Sequence, residues 1–315
     1  MNNITKMSQP KSKWQLFNWL CTGKLPLNEL WIKPSYRYKF FFRTLFLSPI
    51  TLKLLDKLRQ YPLLGYYLSC QTNLPCKLQR PYLSSCLNQQ ERLQALAYHY
   101  DFLSQHPDSM SQAFYNQDVP FVLANVAVKN DANIQIAVQA RNKFAREGEI
   151  SLYFYDNDGI DLATLTFTIT YYQQQPTLFI GGLQGTGHQD ARTRVQKATK
   201  DCYGLFPKRV ALEAALTIAQ YFKLSQIAAV GNKTHVYNNW RYNSRQERIL
   251  SDYDDFWLTI DGKQDAEGLF ILPNAIHRKS IEEIASKKRS EYRNRYALLD
   301  QLASNIEKQL ALLKN

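Results

Sequence analysis

The chain has 315 residues, 45% of them hydrophobic and 21% charged, the composition of an ordinary globular protein rather than a disordered, collagenous or disulfide-dense one. Its five cysteines (Cys21, Cys70, Cys76, Cys86, Cys202) are odd in number and hold no CxxC pair, which argues against a disulfide framework or a zinc site and for free thiols in a reducing compartment. The formal charge of +12 is concentrated: residues 1–90 carry 13 Lys/Arg against Glu29 and Asp56, a net of +11, which leaves +1 for residues 91–315.

A basic first third recruits anionic partners. Here its cations are interleaved with Trp14, Phe17, Trp19, Trp31, Tyr36, Tyr38, Phe40, Phe41, Phe42 and Phe46. Rings beside Lys and Arg suit the head-group layer of an anionic membrane, and the same rings equally suit the core of a helical subdomain with a basic face. Nucleic acid is disfavoured, because no nucleic-acid-binding motif accompanies them. Thr44–Leu52 is apolar but short and interrupted by Ser48-Pro49, far from the ~20 apolar residues of a membrane-spanning helix. Met1–Lys13 lacks the apolar stretch of a secretory signal. The expected location is cytoplasmic, at most peripheral to the inner membrane.

In chain order, residues 1–117 read as short helices joined by proline-containing turns, with Ser35 capping Tyr36–Leu47, Pro49 opening a helix through Leu58, and a further helix at Gln89–Gln105. Residues 118–275 change period. Phe121–Val128, Ile134–Ala140, Glu149–Tyr155, Asp161–Tyr171 and Thr177–Leu183 alternate as strands with short connections, which predicts an antiparallel meander. Pro207 opens a helix to about Phe222 whose narrow polar stripe (Glu213, Thr217, Gln220) predicts burial against the sheet. Gln226–Gly231 fits an interior parallel strand, and Phe256–Asp261 with Gly268–Leu272 reads as a closing hairpin. Residues 276–315 form a helical tail, Ser280–Lys314, whose seam of Tyr292, Tyr296, Leu299, Ala303, Ile306, Leu310 and Leu313 is expected to dock on the N-terminal helices. The fold class is therefore α+β, with a mixed, mainly antiparallel sheet flanked by an N-terminal helical region and a long C-terminal helix.

This order of meander, crossover helix, parallel strand and hairpin resembles the GCN5-related N-acyltransferase fold. The resemblance implies that the loop after the fourth strand of that fold holds an acyl-CoA pyrophosphate at a helix N-terminus, where free N–H groups and the dipole favour an anion. Gln184, Gly185 and Gly187 stand in that loop, although the family pattern is only half present and ends here in Gln189. Lys208 and Arg209, in the first turn of the Pro207 helix, are a second anion-binding candidate, and acyl-CoA is the small-molecule donor both suggest. The plain alternatives are a bulge and turn for the glycines and a solvated first turn for the cations. His235, after the parallel strand, and His188, in the glycine loop, are general-base candidates. Asp254 is a third, although Asp252–Asp255 also fits helix capping. No metal-ligand cluster, P-loop, GxSxG, HExxH or GxGxxG occurs. The enzymatic reading expects a cleft between Leu183–His188 and Gly231–Tyr237, walled by His235 and lined with cations.

Ile180–Gly185, Ala198-Thr199-Lys200, Gly204–Lys208, His235-Val236-Tyr237, Tyr253–Trp257 and Lys288–Tyr296 together resemble the VirK/YbjX family of Gram-negative bacteria. That resemblance implies a role in the cell envelope connected with virulence and tolerance of cationic antimicrobial peptides, and supplies no reaction. Two functions follow as expectations: an acyltransferase-like enzyme acting on an envelope component, or a non-enzymatic peripheral membrane or scaffolding factor. A nucleic-acid-binding regulator ranks third.

Overall fold

Capping side chains, prolines and glycines divide the first part of the chain into short helices. The structure, a computed structural model, describes residues 7–238 and 252–314. It begins with α1 (Lys13–Thr22), α2 (Glu29–Ile32), α3 (Pro34–Phe42), α4 (Ile50–Leu58), α5 (Leu64–Cys70), α6 (Gln89–Ser104) and α7 (Asp108–Tyr115). The Ser12 side chain accepts the Gln15 N–H to start α1, and Gly23, at φ 81°, ends it, the left-handed stop that glycine adopts without a Cβ penalty. Asn88 and Glu91 form a reciprocal capping box on α6. Ser35 is not the cap of α3: Pro34 takes the first helical position and Lys33 precedes it, because a proline there sacrifices no hydrogen bond. The helix then widens into a π-turn at Arg43–Leu47 before the expected break at Ser48-Pro49.

One eight-stranded sheet follows: β1 (Phe121–Ala127), β2 (Asn133–Gln139), β3 (Ile150–Tyr155), β4 (Asp161–Tyr172), β5 (Gln175–Gly185), β6 (Gln226–Ala229), β7 (Lys263–Gln264) and β8 (Phe270–Leu272). Their spatial order is β1-β2-β3-β4-β5-β6-β8-β7. Only β5 and β6 pair in parallel; every other neighbouring pair is antiparallel. The fold is thus α+β with a mixed, mainly antiparallel sheet, as the sequence predicts. Gln173 and Gln174, at φ 47° and 63°, make the tight β4–β5 turn, whose backbone twist matches that of the strands. β4 is buried over nine successive residues, so both its faces are covered, chiefly by α6 and α9 (Pro207–Tyr221).

Two expectations need correction, and one helix is unexpected. Residues 256–258 are helical, in α10 (Tyr253–Leu258), and the closing hairpin is β7 with β8. The Asp252 side chain accepts the Asp255 N–H and starts that helix, so capping overrides the short apolar run. A helix, α8 (Ala191–Asp201), fills the stretch between Gly187 and Pro207 to which the sequence assigns no element; almost all its side chains reach solvent, which leaves no apolar period to detect. The tail helix, α11 (Ser286–Leu312), buries Leu298, Leu299, Leu302, Ile306 and Leu310. It lies on β1 and α9 instead of the N-terminal helices, which it meets where Ser109 Oγ donates to the Leu313 carbonyl at 2.7 Å.

The helical region is tied to the sheet by a buried polar network. Lys77, in the 3₁₀ turn Leu74–Gln79, pairs with Glu149 just before β3, and neither side chain reaches solvent appreciably. Tyr100 OH donates to the other Glu149 oxygen at 2.8 Å, and Tyr82 OH meets Thr168 Oγ1 at 3.0 Å. His99 Nδ1 accepts the Ile169 N–H while Nε2 meets Tyr115 OH; burial holds this imidazole neutral, with its pKa lowered to about 4. Removing one partner of a buried pair strands the other charge, so Lys77→Met should lower the unfolding free energy by about 3–5 kcal/mol. Lys77→Met combined with Glu149→Leu should recover much of that loss in urea denaturation; a double variant no more stable than the single one would contradict this account.

Candidate functional site

Where β5 leaves its partner β6, the backbone is irregular. In the β4–β5 ladder Thr166 faces Gly182 and Phe167 faces Ile180, so Gly181 is the extra residue of a β-bulge, a device that bends a strand and redirects its groups. The segment Phe144–Glu149 crosses directly over this bulge. A Cβ on Gly181 would collide with the Glu147 carbonyl, and one on Gly182 with the Glu147 carboxyl. This close backbone approach, rather than an unusual φ, requires Gly181, and a side chain at Gly182 would displace the Glu147 carboxyl.

The carboxyl delivered there is buried. Glu147 Oε1 accepts a hydrogen bond from Gln184 Nε2 at 2.7 Å, whereas Oε2 has no partner among the described residues. Burial pushes its pKa up to about 8, against the smaller opposing effects of Gln184 and Lys143. Glu147 is therefore protonated at neutral pH and becomes a base just above it, the range in which a general base is effective.

The parallel pairing runs only from Thr177–Gln226 to Ile180–Ala229, where β6 ends while β5 continues to Gly185. The expected cleft at this point is occupied. Tyr253 of α10 projects between the strand ends, and its hydroxyl accepts the Leu183 N–H at 3.3 Å. Its ring stacks on His235, with centroids 5.3 Å apart and planes at 20°. Trp257 Nε1 donates to the Val230 carbonyl at 2.8 Å and anchors the same helix. Burial raises the Tyr253 pKa well above the usual tyrosine range, so the phenol keeps its proton.

His235 is consequently an aromatic wall, not an open base. It is 1% exposed, and burial lowers its pKa to about 4. Its Nδ1 accepts the Tyr237 N–H at 3.4 Å. Asp254 is structural: its Oδ1 accepts the Asn232 N–H at 2.7 Å, while the Asn232 side chain in turn bonds the Tyr253 N–H and Asp252. His188 lies in the half-exposed loop, where its Nδ1 accepts the Asp190 N–H at 3.2 Å. No contact joins it to Glu147 or His235 among the described residues. Trp240 and Arg241, which follow His235 in the chain, lie outside the described residues.

On the anion side, Gln184 turns to Glu147, and Gly187 faces open space. Gly185 lies under Lys208: a Cβ there would sit 3.8 Å from Lys208 Cε. The loop end and the first turn of α9 are thus neighbours despite the chain between them, and desolvation lowers the Lys208 pKa. Arg209 instead pairs with Glu213 at 2.9 Å, which removes it from the expected pair of cations. Among the described residues no helix is long and apolar enough to cross a membrane.

Glu147 supplies a pH test. Its folded pKa of about 8 lies above its ordinary value of 4.5. Below pH 4.5 the carboxyl is protonated in both states; between 4.5 and 8 it ionises only in the unfolded chain. Stability therefore falls with rising pH by about 1.4 kcal/mol per unit from this group. Glu147→Gln removes that dependence, so the variant's stability advantage should grow from pH 4.5 to 8 in denaturant titrations. A gap that stays constant with pH would show that Glu147 ionises normally.

The comparisons with known proteins agree on a family. A family model described as "Protein of unknown function (DUF535)" matches residues 29–308. The chain is 39% identical over 293 residues to the uncharacterized protein YbjX of Escherichia coli K12, covering 93% of this chain and 89% of that one. It is 29% identical over 177 residues to an uncharacterized protein of Haemophilus influenzae Rd, covering 56% and 57% of the two chains. This chain belongs to the DUF535 family, with YbjX of E. coli among its relatives.

Proposed function

We propose that the protein is an acyltransferase that moves an acyl group from an acyl-CoA-type thioester to an amine or hydroxyl acceptor. The observation that carries this reading is the end of the parallel β5–β6 pairing at Ile180–Ala229, with the Gly181 bulge and the Glu147 carboxyl beside it. The strand order, with β8 inserted between β6 and β7, also supports the likeness to N-acyltransferases drawn from the sequence. In that reading a donor enters between the strand ends and takes the Leu183 N–H now given to Tyr253. Lys208 and the first turn of α9 favour its phosphates.

The chemistry asked of the chain's own residues is modest. Glu147 accepts the proton lost by the attacking amine or hydroxyl as the new acyl bond forms. The Glu147 carboxyl, protonated in that step, returns the proton to the departing thiolate, so the balance closes and the carboxylate is restored without a further reactant. Titration calorimetry with acetyl-CoA and longer acyl-CoAs tests the proposal. Binding is expected, and Lys208→Ala should weaken it about tenfold, as for the loss of one charge-assisted contact. A folded protein that binds no acyl donor would sink the proposal.

A second reading, attachment to an anionic membrane, has its own support. Tyr38, Phe42 and Phe46 recur at four-residue spacing along α3 and the π-turn, and with Leu47 they are 57–74% exposed. Lys39 and Arg43 lie among them. Rings bare to solvent beside cations suit a head-group layer, and an acceptor drawn from the cell envelope would join the two readings. Co-sedimentation with vesicles should require anionic lipid and weaken as salt rises. It should also drop when Phe42→Ser and Phe46→Ser are combined. Binding indifferent to lipid charge and to these changes would remove the membrane reading.

A further inference from the structure

A groove of about 610 Å³ lies where the start of α6, the β4–β5 turn and the β7–β8 turn meet, within the roughly 300–1,000 Å³ range of small-ligand sites. Its floor is apolar, from the buried Leu83, Leu87, Ala95 and Phe179. Its rim is polar: Asn88, Glu91 and Gln94 on the α6 side, Gln173 and Gln174 in the β4–β5 turn, and Glu267 in the β7–β8 turn. Tyr171, 52% exposed, also lines it, its ring backed by that of Tyr98 with centroids 5.6 Å apart. No Lys, Arg or His lines the groove among the described residues.

The walls are fixed, yet several of their polar groups are unspent. Asp265 ties the two turns together: Oδ2 accepts Tyr172 OH at 2.8 Å and Gln173 Nε2 at 3.1 Å, while Oδ1 accepts the Glu267 and Leu269 N–H groups. Glu91 Oε2 accepts the Asn88 N–H in the capping box, which leaves Oε1 unused. The Gln94, Gln174 and Glu267 side chains have no hydrogen-bond or ionic partner among the described residues. Thr170 is only 2% exposed and lines the groove, and its hydroxyl likewise has no partner among the described residues. Gln174 moreover stands at φ 63°, where glycine would sit without steric conflict. Gln173 at least reaches Asp265 from such a backbone; a Gln174 side chain that touches nothing is strain retained without a structural return, the mark of a functional position.

This chemistry narrows the ligand. Two carboxylates with no cation beside them repel an anion, so phosphorylated compounds are disfavoured. A wholly apolar ligand would take water from the rim and give nothing back. A polyamine only donates, and would leave the NH₂ groups of Asn88, Gln94 and Gln174 without acceptors. A pyranose satisfies both surfaces. Its C–H face suits the negative face of a tyrosine ring and the apolar floor, and each hydroxyl can donate to a carboxylate and accept from an amide. We propose that this groove binds unphosphorylated pyranose units of an oligosaccharide, with one ring on Tyr171 and hydroxyls on Gln174, Gln94, Glu91 and Thr170. Walls already held by Asp265 and the capping box keep the ordering cost of binding low. None of the residues assigned to acyl transfer takes part, so the inference stands apart from that reading.

The test is saturation-transfer NMR of the full chain, without any acyl donor, with maltotriose, cellotriose and triacetylchitotriose as probes and spermidine as the cationic comparison. Saturable binding of at least one trisaccharide is expected. Tyr171→Ala and Gln174→Gly should each weaken it about tenfold or more. Gln174→Gly removes the amide while leaving a residue at ease with the turn, so it should keep the parent's thermal unfolding and separate lost binding from lost folding. Cys86, an exposed cysteine of the groove wall, should react with iodoacetamide more slowly when the sugar is bound. The proposal is overturned if no trisaccharide binds, if both variants bind as the parent does, or if the bound sugar leaves Cys86 unprotected. Binding of spermidine alone would also overturn it and make the groove a cation site. Because no donor is present, failure here leaves the acyl-CoA site standing. Conversely, sugar binding by a protein that ignores acyl-CoA would keep this groove and discard the transferase role.

Discussion

The buried pair of Lys77 and Glu149 is the constraint around which this molecule is arranged. A charge pair withdrawn from water is stable only when its remaining donors and acceptors are met. Here Tyr100 serves the second carboxylate oxygen, and Thr168 Oγ1 receives the Glu149 N–H at 3.2 Å. Those partners come from the helical region and from β4, so the pair fixes how the helices sit on the sheet. Glu149 also pins the end of the segment that carries Arg146 and Glu147 across the β5 bulge. One ion pair therefore sets the position of the candidate base.

Two acids two residues apart have opposite fates for a simple physical reason. Glu149 faces a cation, which offsets desolvation and keeps its pKa below the usual value. Glu147 faces glycine backbone and an amide, which cannot, and its pKa rises. Burial is nearly the same in the two cases; the neighbour decides the sign.

The sheet was legible because alternation and Asn/Asp/Gly turns are local signals, and β1 to β5 carry them strongly. The burial of α9 was legible from its narrow polar stripe. What escaped were features decided by capping or by distant parts of the chain. α10 begins at an aspartate cap and its apolar run reads equally well as a strand. α8 has a largely solvated surface and hence no apolar period. The tail helix shows a seam in its sequence, but a seam does not name its partner, and α9 with β1 supplied the complementary surface. In the candidate site, glycines 181–187 and Lys208 could be picked out by residue type. His235 attracted attention for the same reason, yet its burial against Tyr253 makes it part of a wall. Glu147 carried no motif; only the passage of its segment over Gly181 and Gly182 gives it meaning. An acid three residues ahead of an apolar strand was the one clue available.

The loop after β6 is held by residues far earlier in the chain. Ser84 Oγ and the Ser85 N–H both donate to the Thr234 carbonyl, at 2.6 and 2.9 Å, and Ser85 Oγ donates to the Lys233 carbonyl. The aromatic-rich front half is therefore no detachable accessory that a shorter ancestor or an engineered fragment could shed. Severing the chain ahead of β1 would free the very turn that carries His235, on which Tyr253 stacks, leaving a sheet with its working corner unbraced.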